Sequence, residues 1–130
     1  QFKKVLEMSS TYGGAVIIVE GHSDPMGYLR KKKSNPNAYL LSQVKQSAKN
    51  LSMTRAQQVR QAVVNYSSAK NLNLDTSQFS VIGHGITNPK TGICGIDPCA
   101  PKTEQQWLSN MRVVFRILQI EAEETAFSPL

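Results

Sequence analysis

The sequence predicts a helix-backed β-sheet of the α+β or α/β kind. Three observations carry that expectation. β-branched runs at 15–20, 79–82 and 112–120 read as buried strands. A long segment at 53–70 repeats apolar residues at helical spacing. The pieces follow in the order helix, strand, helix, strand, strand, which suits a sheet with helices packed on it.

Taken from the start, Phe2, Val5, Leu6 and Met8 have the spacing of a short helix, which Gly13 and Gly14 end. Ala-Val-Ile-Ile-Val-Glu at 15–20 is the first strand of the chain, closed by Gly21 and a polar loop, His22-Ser23-Asp24-Pro25. Pro25, Gly27, Asn35, Pro36 and Asn37 mark turns. Residues 38–49 form a helix with Leu40, Leu41, Val44 and Ala48 on one side. Asn50 or Ser52 then caps a separate helix over 53–70. Ala56, Val59, Ala62, Val63 and Tyr66 form its apolar stripe, while Gln57, Gln58, Arg60 and Gln61 face water. A second strand at 79–82 ends in Gly83-His84-Gly85. A loop rich in Gly, Pro and Thr follows over 87–102. One or two helical turns at 104–110 precede the last strand at 112–120, and an acidic tail runs over 121–130.

At 130 residues the chain fits one domain, and 40% hydrophobic residues suffice for a core. No apolar run reaches the roughly 18 residues of a membrane helix. The chain begins at Gln1, as a mature product or a fragment does. Any export signal, lipid anchor or upstream domain is therefore expected outside it, and with it any membrane association. The net charge is +6, with Arg30, Lys31, Lys32 and Lys33 in succession. A nucleic-acid surface is disfavoured, because no aromatic residues interleave with the lysines as a stacking platform for bases. A solvated loop is the plainer reading, and attraction to an anionic polymer or membrane surface needs only the charge.

Cys94 and Cys99 flank Gly95 and Pro98, which supply a turn. A disulfide is favoured over free thiols, and it implies an oxidising compartment. A zinc site is not expected. The two histidines, His22 and His84, are far apart in sequence and sit in different motifs.

Three constellations could carry chemistry. Gly21-His22-Ser23-Asp24-Pro25 resembles the start of a nucleophile elbow, but Pro25 stands where Gly is needed, and a hydrolase needs a His and an acid elsewhere. Asp24, at a strand end, is placed to accept hydrogen bonds from a ligand ammonium; as a turn-former it would only cap its own loop. Arg55, at the expected start of a helix, opposes the helix dipole. There it could receive a carboxylate, or simply be a solvated surface Arg.

Four blocks in order resemble the OmpA-like C-terminal, peptidoglycan-associated family. Val16-Ile17-Ile18-Val19-Glu20-Gly21-His22-Ser23-Asp24-Pro25-Met26-Gly27 looks like its strand and Gly-His-Thr-Asp loop. Leu51-Ser52-Met53-Thr54-Arg55-Ala56-Gln57-Gln58-Val59 looks like its Leu-Ser-x-x-Arg-Ala-x-x-Val helix. Phe79 to Gly85, with Pro89, and Asn110-Met111-Arg112-Val113 complete the series. The resemblance implies a β-α-β-α-β sandwich over 1–120 of α+β class, with a mixed sheet and a first strand lying before this chain. It implies a non-catalytic module, with no cofactor, that binds the diaminopimelate of the peptidoglycan peptide stem through Asp24 and Arg55. Backbone near Ser23 and Gly27, and the side chains of Asn110 and Arg112, are expected to assist. It further implies the periplasm of a Gram-negative envelope, near the outer membrane and cell wall. The parent is expected to be an anchored envelope protein, such as a lipoprotein, or a subunit of a secretion system or flagellar motor with partner proteins. The sequence departs from the family at Ala48, Thr54 and Met111, and in a long basic insertion at about 28–50.

Overall fold

The computed structural model describes residues 15–72 and 76–119. The expected helix at 2–8 and the tail at 121–130 lie outside them. The central strand β1 (Ala15–Gly21) runs parallel to β2 (Phe79–Gly83) and antiparallel to β5 (Val113–Gln119), in the order β2-β1-β5. A two-stranded hairpin, β3 (Ile93–Cys94) and β4 (Asp97–Pro98), stands apart within the Gly- and Pro-rich loop. Among the described residues there are three helices: α1 (Met26–Ser34), α2 (Ala38–Ala69) and α3 (Glu104–Asn110). A 3₁₀ turn, Thr76–Gln78, leads into β2. The α+β class and the mixed, helix-backed sheet are those the sequence predicts.

Strand alternation sets the core. Ile17 and Val19 point to α2, where they meet Ala56 and Val63, and Phe79 of β2 joins them in one buried cluster. Val113, Phe115 and Ile117 of β5 pack against the same cluster. On the opposite face of the sheet Glu20 is buried, while Ile82 and Leu118 are exposed. Because β1 and β2 are parallel, the chain between them must cross over, and α1 with α2 is that crossover.

The structure corrects the expected helix boundary at residues 50–52. α2 is a single helix of 32 residues, about 48 Å long. Its cap is Asn37, whose side chain accepts from the Tyr39 and Leu40 N–H groups. Asn50 and Ser52 are interior: Thr54 Oγ1 donates to the Asn50 carbonyl and Ser52 Oγ to the Lys49 carbonyl. These residues resemble caps, but their polar atoms are satisfied inside the helix. Two further expectations on α2 change. Arg60 is not solvated; it donates to the Phe79 and Thr76 carbonyls and ties α2 to the start of β2. Ala62 is exposed.

The basic segment is likewise no loop. Lys31, Lys32 and Lys33 occupy the last turn of α1, where cations suit the helix dipole. Tyr28, Leu41 and Ile86 form a second buried cluster, with Leu29, Val44 and Ala48 around it. Residues 28–50 thus build a second small core together with Ile86 from the loop after β2.

Candidate functional site

The ends of β1, β2 and β5 are laced together by backbone hydrogen bonds. His22 N–H donates to the Arg112 carbonyl, His84 N–H to Gly21 and Ser23 N–H to Gly85. α2 presses on this junction. A Cβ on Gly21 would lie 2.0 Å from the Ser52 carbonyl oxygen, so only glycine fits there. Gly85 has φ +61° and lies against Lys49, and its N–H donates to the buried Ser52 hydroxyl. The glycines of both strand-end motifs therefore admit the helix, and the helix fixes the loops.

Asp24 follows directly. Its Oδ2 accepts from Met26 N–H at 2.8 Å, which caps α1. Its Oδ1 accepts from Asn110 Nδ2 at 2.8 Å. Asn110 is fully buried at the end of α3, and its Oδ1 accepts from Thr91 N–H. The turn-forming role is thus real, yet it uses two of the roughly four acceptor positions of a carboxylate. Asp24 remains half-buried.

Ser23 is buried, and its hydroxyl donates to the Ala48 carbonyl at 2.9 Å. That bond occupies the group a nucleophile elbow would need free. Gly27, in the first turn of α1, lines a cleft of about 590 Å³ with Met26, Arg30, Pro101, Lys102, Thr103, Glu104 and Trp107. Trp107 was not singled out in the sequence; it is 41% exposed, an unusual degree for this residue type.

Arg55 lies well inside α2, not at a helix start, so no free helix N-terminus stands beside it. It is half-buried and makes no hydrogen bond or ion pair among the described residues. Helical spacing places Ala48, Ser52 and Arg55 along one stripe. Ala48 and Ser52 on that stripe touch Ser23 and Gly21 through their carbonyls. Arg55 is therefore on the side of α2 that faces the Asp24 loop. Arg112 Nη2 donates to the Asn88 carbonyl, while its Nε and Nη1 are buried without a partner. Burial draws the Arg112 pKa down from its ordinary value, with Glu20 opposing.

The Cys94–Cys99 disulfide is formed, with Cα atoms 4.9 Å apart. It closes the β3–β4 hairpin, which docks on α1: Lys32 pairs with Asp97, and Tyr28 OH donates to Asp97 Oδ1. That pairing holds the Asp97 carboxyl below its usual range.

Beside the Asp24 loop lies a group that sequence reasoning kept apart. His22 and His84 stack with ring centroids 4.8 Å apart. Glu20 Oε2 lies 3.4 Å from His84 Nε2 and 4.0 Å from His22 Nε2. Arg116 pairs with Glu20 at 3.1 Å. Burial, then the charges of Arg112 and His84, hold the His22 pKa down at about 4, with Glu20 opposing. The separation of the two histidines along the chain concealed this cluster; the parallel pairing of β1 with β2 creates it.

No family model and no curated protein sequence matches the chain. Solved structures do. The periplasmic domain of Helicobacter pylori MotB, residues 90–256, superposes with a TM-score of 0.58 at 16% identity, over 99% of this chain and 69% of that one. The C-terminal domain of the same protein, residues 125–256, gives 0.56 at 15% identity, over 98% and 83%. At such identity the likeness is one of fold: this chain folds as the periplasmic domain of MotB does.

Proposed function

We propose that this chain is a non-catalytic, OmpA-like periplasmic domain that binds the peptide stem of peptidoglycan and ties an envelope protein to the cell wall. The observation that carries the reading is the mounting of Asp24. A fully buried Asn110, from the end of α3, holds its carboxylate next to Met26 and Gly27 of the cleft, and about two of its acceptor positions remain unused by the bonds to Met26 and Asn110. Arg55, on the facing side of α2 with no partner among the described residues, supplies the opposite charge. A zwitterion such as the end of diaminopimelate matches this pair, ammonium to Asp24 and carboxylate to Arg55. Ser23 and Asn110 hold the loop, Arg112 braces its far side through Asn88, and Gly27 leaves the cleft open. The four sequence blocks and the MotB-like fold support the same reading.

Losing either charge leaves the other unmatched and costs about 2–4 kcal/mol of binding. The isolated domain is expected to sediment with purified peptidoglycan sacculi, and Asp24→Ala or Arg55→Ala to remain in the supernatant with unchanged circular dichroism. Co-sedimentation that survives both substitutions contradicts the site.

A second reading is favoured by the MotB-like fold and the second core that residues 28–50 build with Ile86. In it the domain serves protein contacts within an envelope machine such as a flagellar motor. It predicts partner co-purification without wall binding by the isolated domain.

A further inference from the structure

Glu20, His22 and His84 each present a metal-ligating atom, and these atoms lie within 4.8 Å of one another. Glu20 and His22 are 4% and 2% exposed. His22 Nδ1 and His84 Nε2 are buried and lack a hydrogen-bond partner. Two orphaned imidazole nitrogens in one buried group are unusual, because buried polar atoms are nearly always satisfied.

We propose that Glu20, His22 and His84 form a binding site for one divalent transition-metal ion of the zinc type. The donor set decides the class. Two imidazoles and a carboxylate suit zinc and its neighbours, whereas calcium and magnesium need oxygen shells. The spacing is close to what such an ion requires. With bonds of about 2.0–2.1 Å, tetrahedral donors stand roughly 3.4 Å apart. Glu20 Oε2 is 3.4 Å from His84 Nε2, an unpartnered nitrogen, and 4.0 Å from His22 Nε2; the unpartnered nitrogen of His22 is Nδ1, so His22 ligates through Nε2 or turns its ring to present Nδ1.

Closing the site takes a small movement. The two rings are only 14° from parallel, so they must tilt before both lone pairs converge. The His84 side chain is 31% exposed, and it provides both the freedom to turn and the entry path. Arg116 holds the Glu20 carboxylate through both oxygens, Nε to Oε1 at 3.1 Å and Nη2 to Oε2 at 3.4 Å, which orients it; the longer bond, on Oε2, is the one an ion would displace. Two guanidinium groups nearby, Arg112 and Arg116, oppose a cation. The affinity is accordingly weaker than that of a structural zinc finger. A bound ion would pin the ends of β1 and β2 together, directly behind the loop that carries Asp24. Nothing in this proposal depends on peptidoglycan binding.

The composition makes the test clean. The chain has two histidines and two cysteines, and the cysteines are tied up in a disulfide. Chelator-treated, non-reduced domain is titrated with Zn²⁺ by calorimetry, and with Co²⁺ by visible absorption. One equivalent of Zn²⁺ is expected to bind and raise the Tm, and Co²⁺ to develop the d–d bands of a nitrogen-ligated ion. His84→Ala removes a half-exposed ligand, so it is expected to fold, to weaken Zn²⁺ binding about tenfold or more and to abolish the Co²⁺ bands. Nuclear magnetic resonance on wild-type protein adds a readout free of substitutions: Zn²⁺ is expected to shift the ring signals of both histidines. Absence of binding, binding undiminished in His84→Ala, or unshifted histidine rings would each overturn the proposal.

Discussion

Asn110 shows how one buried amide can place a charge far from its own element. Its Nδ2 reaches Asp24 across 86 positions of sequence and its Oδ1 takes the Thr91 N–H. Replacing it by Ala leaves a carboxylate oxygen and a backbone donor short of partners. Asn110→Ala is expected to lower stability by about 2 kcal/mol in chemical denaturation and to weaken binding of a diaminopimelate-containing peptide as Asp24 loses its orientation. An unchanged midpoint would show that this amide does not hold the loop. His22 sets a pH dependence. Its folded pKa of about 4 lies below the ordinary 6.5. Between those values the unfolded chain takes up a proton that the folded chain refuses, so stability falls as pH drops from about 6.5 to about 4. The groups facing His22 are Glu20, His84 and Arg112. Asp97 acts only at more acidic pH, since its carboxyl is held below its usual range. The Tm of chelated protein is expected to decline over that window; a flat profile would contradict the burial of neutral His22.

Elements succeed here through close approach. α2 lies against the strand ends because Gly21 has no side chain to keep it away. Gly21→Ala forces a Cβ into the Ser52 carbonyl and is expected to cost about 3 kcal/mol, read as a lower denaturation midpoint. A change below 0.5 kcal/mol, the usual range for surface substitutions, would mean that the helix can retreat freely. Much at this scale is legible in the sequence. The β-branched runs at 15–20, 79–82 and 112–120 locate the three sheet strands to within a residue or two, and the turn between Cys94 and Cys99 announces the disulfide. The continuity of α2 is not legible. Asn50, Ser52 and Thr54 are residues that stop helices elsewhere, and only their back-bonding within the helix shows that they do not. Arg60 is hidden for a related reason: its polar head is satisfied by β2 carbonyls that no local pattern reveals.

At the level of the whole molecule, everything proposed for function gathers at one end of the sheet. Asp24 leaves β1, Asn110 ends α3, Arg112 opens onto β5, and Glu20, His22 and His84 close the strand ends behind them. Asp24 and Arg55 could be singled out in the sequence as a proposed pair only because the ordered blocks resemble a known family. The stacked histidines and the Trp107 cleft were not, because they arise from the crossover and from loops packed by tertiary contacts. No helix among the described residues is long and apolar enough to cross a membrane. The second core, built by residues 28–50 with Ile86, adds a basic flank, and its Ala48 carbonyl accepts from the Ser23 hydroxyl of the Asp24 loop.

The central claim is that Asp24 and Arg55 together grip a zwitterion. Calorimetric titration of the isolated domain with a diaminopimelate-containing muropeptide tests it most directly, run beside Asp24→Ala, Arg55→Ala and the double variant. Saturable wild-type binding is predicted, with each single variant weakened by about 2–4 kcal/mol and the double variant weaker than either single one, since each residue holds a different end of the zwitterion. Wild-type affinity retained by either single variant would contradict the grip.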